Sequence, residues 1–178
     1  MSEPQIAVFC TNEQEEVNVD TELAGELARE VLQLQGLTAP AELSVVFVDS
    51  DTMAELNERY RGTSGPTDVL SFAIEDGRGF GRDRPDAGAA GFPSVLLGDV
   101  VVAPAVALQN AAARAGDRGH DGSVADEVAL LIIHGILHIF GYDHETDPEA
   151  EEMEGVEAAL LQKVYAPMKV ANTRGLAG

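Results

Sequence analysis

The sequence predicts an α/β or α+β domain. Helical and strand periods alternate along the chain. The segment from Ser123 to about Phe140 is apolar nearly all round, which marks a central buried helix. A length of 178 residues suits one domain.

The elements follow in order. Ile6–Cys10 is a short apolar run and reads as a strand. Asp20 is placed to cap a helix with the apolar stripe Leu23, Leu27, Val31 and Leu34 and Gly36 as its stop. Leu43–Val48 is rich in β-branched residues and reads as a buried strand. Ser50 is the expected cap of a second helix, with Met53, Leu56 and Tyr60 inward and Gly62 at its end. Val69–Ile74 and Val95–Val102 read as a hairpin-like strand pair, joined by an exposed loop, Asp76–Ser94, rich in Gly, Pro and Arg. Ala105–Ala115 is alanine-rich and helical, and Gly116–Gly122 is a loop. Ser123 with Asp126 resembles a capping box for the central helix, and Gly141 ends it. Asp147–Pro148 reads as a cap and first position of a last helix that buries Met153, Val156, Leu160 and Val164. Residues 1–171 are expected to form the single domain, with Asn172–Gly178 as a loose tail.

Composition narrows the function. A single cysteine, Cys10, excludes an internal disulfide and a multi-Cys zinc site. The longest apolar stretch, Val128–Phe140, is too short to span a bilayer, and the first residues carry Glu3 with no basic run. A soluble, cytoplasmic protein is expected. Lys and Arg total 11 against 31 Asp and Glu, a net charge of −20. That balance argues against a general polyanion binder. Yet Arg59, Arg61, Arg78, Arg82, Arg84, Arg114 and Arg118 fall in one part of the chain, while His120 to Gln162 contains no Lys or Arg. A basic patch on an acidic body and a scatter of solvated arginines are both compatible with this distribution.

Three of the four histidines, His134, His138 and His144, lie within HGILHIFGYDH. Four helical residues are roughly 400° of rotation and about 6 Å of rise, so His134 and His138 share a face. Gly141 breaks the helix and lets His144 fold back as a third nitrogen. Three neutral imidazoles with an open fourth position are the pattern of a catalytic zinc. Burying them in an apolar helix end without a shared partner would be costly. His120 is a candidate fourth ligand, but the other three already complete the set. The spacing also matches metzincin peptidases, in which the residue after the first His is the glutamate base. Here it is Gly135. Neither Asp143 nor Glu127 sits at the offset needed to replace it, and Glu127 is better placed to favour the helix N-terminus.

HGILHIFGYDH, followed by Met153-Glu154, resembles the signature of the YbeY family of bacterial metal-dependent endoribonucleases of rRNA maturation. Two further blocks are similar to family segments. One comprises Leu56 to Arg61 followed by Pro66 to Phe72, and the other is Leu97 to Val101. The resemblance covers roughly residues 45–160. It implies an α+β fold, a small mixed sheet packed by helices, with the metal at one end of the central helix. It implies one zinc per chain on His134, His138 and His144, and a cleft arginine, Arg61, acting on RNA phosphate. Without the resemblance, Arg61 reads as a surface ion-pair residue. The implied substrate is single-stranded RNA, an rRNA precursor, with the small ribosomal subunit or assembly factors as further partners and no membrane. Thr63-Ser64-Gly65 is neutral where the family carries basic residues, and Arg78, Arg82 and Arg84 are candidates to restore that charge. The rival readings are a metallopeptidase and a non-catalytic, zinc-containing ribosome-assembly factor.

Overall fold

The computed structural model describes residues 5–37, 40–74, 94–117 and 119–176. Four strands form one mixed sheet: β1 (Ile6–Glu13), β2 (Ala41–Val48), β3 (Val69–Ala73) and β4 (Val95–Val102), in the order β1-β2-β4-β3. β1, β2 and β4 are parallel, and β3 runs antiparallel to β4. Six α-helices are described: α1 (Thr21–Leu34), α2 (Ser50–Arg61), α3 (Pro104–Ala111), α4 (Val124–Ile139), α5 (Asp147–Leu160) and α6 (Ala166–Leu176). The fold is α+β, as the family resemblance implies.

The continuous apolar run in β2 has a direct cause. Leu43, Val45 and Phe47 enter the main core with α1 and α4, while Val48 joins Met53 of α2 on the opposite face. Burial alternates along β2 as far as Val46, and consecutive residues are buried only at Phe47 and Val48, where both faces are covered. α4 lies across β3 and β4 and also packs on α1, α3 and α5. Its close approach requires Gly135, where a Cβ would stand 2.6 Å from Val100 Cγ1. Ser71 Oγ donates to the Gly135 carbonyl at 3.0 Å from the same side. Gly98 permits the neighbouring irregularity in β4, with φ +140° and a Cβ position 1.9 Å from the Phe72 carbonyl oxygen.

Several local expectations shift. Asp49, not Ser50, caps α2 by accepting from the Thr52 N–H. Tyr60 is exposed; the inward residue of that turn is Asn57, whose amide donates to the Gly65 carbonyl at 2.8 Å. Leu34 is also exposed, because the buried stripe of α1 turns through Ala24, Ala28 and Leu32. Thr146 rather than Asp147 caps α5, in a reciprocal capping box with Glu149. α3 stops at Ala111 and tightens into a 3-10 turn, Ala112–Arg114. The expected tail is helical to Leu176, as α6 continues α5 through a π-helical turn, Leu161–Tyr165.

α6 is tied to α4 by charge. Lys169 Nζ donates to buried Asp126 at 2.7 Å and to Asp121 at 3.2 Å. A hydrogen bond from Ser123, helped by Lys169, holds the Asp121 carboxyl well below the usual range despite partial burial. Burial alone would lower the Lys169 amine, but its bonds to Asp126 and Asp121 raise it. The depressed Asp121 stabilises above the unfolded carboxylate pKa of about 3.9 and loses that contribution as pH falls. The raised Lys169 stabilises below about 10.4 and loses its contribution as pH rises through its folded value. Lys169→Met is therefore expected to cost about 1–3 kcal/mol at neutral pH. Urea melts of both proteins across pH should show this difference narrowing below about pH 4. A pH-independent difference would mean that Lys169 acts by packing alone.

Candidate metal centre

α4 carries His134 and His138 on successive turns, with ring centroids 4.4 Å apart. Gly141, at φ +90°, ends the helix: its N–H reaches the His138 carbonyl, and the Tyr142 N–H reaches that of Leu137. The returning chain puts the His144 ring 5.8 Å from His134 and 5.1 Å from His138. One nitrogen of each histidine lies within 4.8 Å of the others. The helix break thus brings the three expected residues together.

The hydrogen bonds fix where protons sit. His138 Nδ1 is 3.0 Å from the Tyr142 carbonyl, which only accepts, so Nδ1 carries the hydrogen. His134 Nδ1 faces a Glu157 carboxylate oxygen at 2.5 Å. Both Nε2 atoms therefore present lone pairs, and they face each other at 2.9 Å. At that distance two such lone pairs need a shared proton or a metal ion between them. Burial foremost, then the neighbouring His134 and His144 rings, hold His138 below its ordinary pKa and disfavour a proton there. The donor set fits a metal ion, and Glu157 and the Tyr142 carbonyl are the outer partners that orient its ligands.

His134 and His144 open on a cleft of about 660 Å³. Its lining includes Asp68, Asp117, Glu154 and Glu157, with Arg114 as the arginine among the described lining residues. Arg61, the last residue of α2, is exposed and does not line this cleft. Arg78, Arg82, Arg84 and Arg118 lie outside the described residues.

Three residues weighed in the sequence take definite places here, and only the reading of Glu127 changes. His120 is not placed to be a fourth ligand, because its Nε2 contacts Glu127 and its Nδ1 accepts from the Gly122 N–H. Glu127 does not serve chiefly to favour the helix N-terminus; fully buried, it binds Arg114 and His120. Gly135 faces the sheet, away from the histidines, so a glutamate there could not reach the cleft. Glu157 was missed by sequence reading. Its signal was available: it lies four residues after buried Met153, on the inward stripe of an otherwise acidic helix.

Fold and site together define an α+β protein whose central helix and following turn present three imidazoles able to hold a metal ion beside an open cleft. A family profile described as Endoribonuclease YbeY matches residues 9–165, and the chain belongs to that family. An Endoribonuclease YbeY from Salinispora tropica is 44% identical over 144 residues, covering 81% of this chain and 87% of its own. One from Pelotomaculum thermopropionicum is 42% identical over 160 residues, covering 88% and 96%. The solution structure of a Thermotoga maritima protein is similar in fold, with a TM-score of 0.50 at 24% identity, covering 86% of this chain and 88% of that one.

Proposed function

We propose that the protein is a zinc-dependent, single-strand-specific endoribonuclease acting in rRNA processing and ribosome biogenesis. His134, His138 and His144 hold one zinc per chain, and Arg61 contacts the RNA phosphate. The convergence of one nitrogen from each of His134, His138 and His144 within 4.8 Å, beside the cleft, carries this reading. The relatives are endoribonucleases by name, which supports the RNA-cleaving part of this reading. A cytoplasmic location fits the absence, among the described residues, of any helix long and apolar enough to cross a membrane.

When bound, the metal supplies Lewis acidity toward water and a phosphoryl oxygen at neutral pH. Glu157 keeps the His134 Nε2 lone pair directed at the site, and the Tyr142 carbonyl does the same for His138. Arg61, exposed at the end of α2 and outside the cleft lining, offers a bidentate fork to a phosphate of an RNA strand that runs beyond the cleft. The peptidase alternative is disfavoured because position 135 packs on Val100. Metal analysis with paired assays on single-stranded RNA, duplex RNA and casein tests the proposal. Casein cleavage with RNA left intact would overturn it.

Arg61 separates an enzyme from a non-catalytic assembly factor. Arg61→Ala changes an exposed position, so zinc content and melting temperature should stay at wild-type values. Single-turnover RNA cleavage should fall by about 10²–10³. Arg61→Lys should recover part of it, since an ammonium keeps charge without the fork. Full activity in the alanine variant would return Arg61 to a surface ion-pair role.

A further inference from the structure

We propose that Arg114 is a phosphate-binding residue of the cleft, held in place by a buried His120–Glu127 pair. The proposal deepens the endoribonuclease reading and rests on it. Glu127, on the first turn of α4, is 0% exposed. Its carboxylate accepts from Arg114 Nε at 3.1 Å and meets His120 Nε2 at 2.9 Å. His120 Nδ1 accepts from the Gly122 N–H, so the ring hydrogen sits on Nε2 and donates to Glu127. A neutral imidazole cannot offset a buried carboxylate; the cationic partner among the described residues is Arg114.

This contact uses only Nε. The Arg114 side chain stays 46% exposed, and it lines the cleft that His134 and His144 also line. The terminal guanidinium nitrogens, with four of the five N–H donors, make no hydrogen bond to another described residue. A guanidinium fixed at one edge and free at the other is preorganised for a phosphate fork. The surrounding lining offers Asp68, Asp117 and Glu154, which repel an RNA backbone. Arg114 supplies the permanent positive charge among the described lining residues. Stability alone gives little reason for such a pair, because buried ion pairs are commonly matched by apolar replacements.

The test uses the zinc-loaded full chain and a single-stranded oligoribonucleotide, with KM and kcat measured over a range of salt concentrations. Arg114→Gln keeps an amide to face Glu127 and removes the charge. It should keep its zinc and raise KM about tenfold or more, with a smaller change in kcat. The slope of log KM against log salt should fall by about 0.7, the share of one phosphate contact on a single strand. Arg114→Lys should restore the slope but only part of the KM. A folded Arg114→Gln with wild-type KM and slope overturns the proposal. If that variant does not fold, a wild-type KM in Arg114→Lys overturns it instead. Wild-type protein that neither binds nor cuts the oligonucleotide overturns the endoribonuclease reading, and this proposal with it. Active wild type with an unaffected variant overturns the role of Arg114 alone.

Discussion

His144→Ala is expected to strip the metal and abolish RNA cleavage while leaving the fold intact. His144 is exposed and sits in the turn after α4, outside the apolar core, so its loss costs little packing. It removes one of three nitrogens that lie within 4.8 Å of one another. Outer partners of a metal ligand typically account for 10–100-fold in affinity, at order of magnitude, and a direct ligand accounts for more. Metal analysis after dialysis should therefore find His144→Ala essentially empty. Glu157→Gln, which alters only the partner of His134, should be weakened by about 10–100-fold. His120→Ala should keep its metal. His138 is held below its ordinary pKa and must be neutral to ligate, so wild-type metal should be retained at neutral pH and released on acidification. Stoichiometric zinc in His144→Ala would remove the third ligand from the set.

Gly135→Glu is expected to prevent folding. The residue lies between His134 and its helix neighbour Ile136, but it points at the sheet. A Cβ alone would sit 2.6 Å from Val100 Cγ1 and 3.0 Å from Ser71 Oγ. Valine is branched at Cβ and cannot swing aside. Gly135→Ala should be destabilised by about 1–3 kcal/mol from overpacking, less roughly 1 kcal/mol gained in helix propensity. A glutamate adds a carboxylate with no partner in an apolar layer, a cost of several kcal/mol against a total stability of about 5–15. Circular dichroism and urea titration would show Gly135→Ala folded but weaker and Gly135→Glu unfolded. A folded, metal-loaded Gly135→Glu would mean that this position opens on the cleft after all.

Local signals were legible in the sequence where one residue type has one physical use. The HGILHIFGYDH string placed three imidazoles and a helix break, because helical rise and a glycine in the left-handed region leave few alternatives. The β-branched run of β2 and the Asp20 cap were equally direct. Burial around a helix was less legible. Leu34 and Tyr60 belong to apolar stripes by spacing, yet both are exposed, and Tyr60 keeps only an edge-to-face contact with Phe72 of β3. Asn57 is polar and goes inward because the loop ending at Gly65 brings it a carbonyl.

The partners of charged groups were decided by the tertiary structure alone. Glu127 lies in a sequence context that suits a helix N-terminus, and Glu157 lies on the inward stripe of α5 with nothing in the sequence to name its partner. One is instead sealed under Arg114 and His120, and the other is set against His134. Gly135 stands where a peptidase carries its base, but its direction is set by how near α4 lies to β4. Spacing along one helix determines which side chains share a face. Which face meets the sheet, which carboxylate reaches which imidazole and which arginine overlooks the cleft depend on contacts between segments far apart in the chain. These contacts exist only once the core has closed.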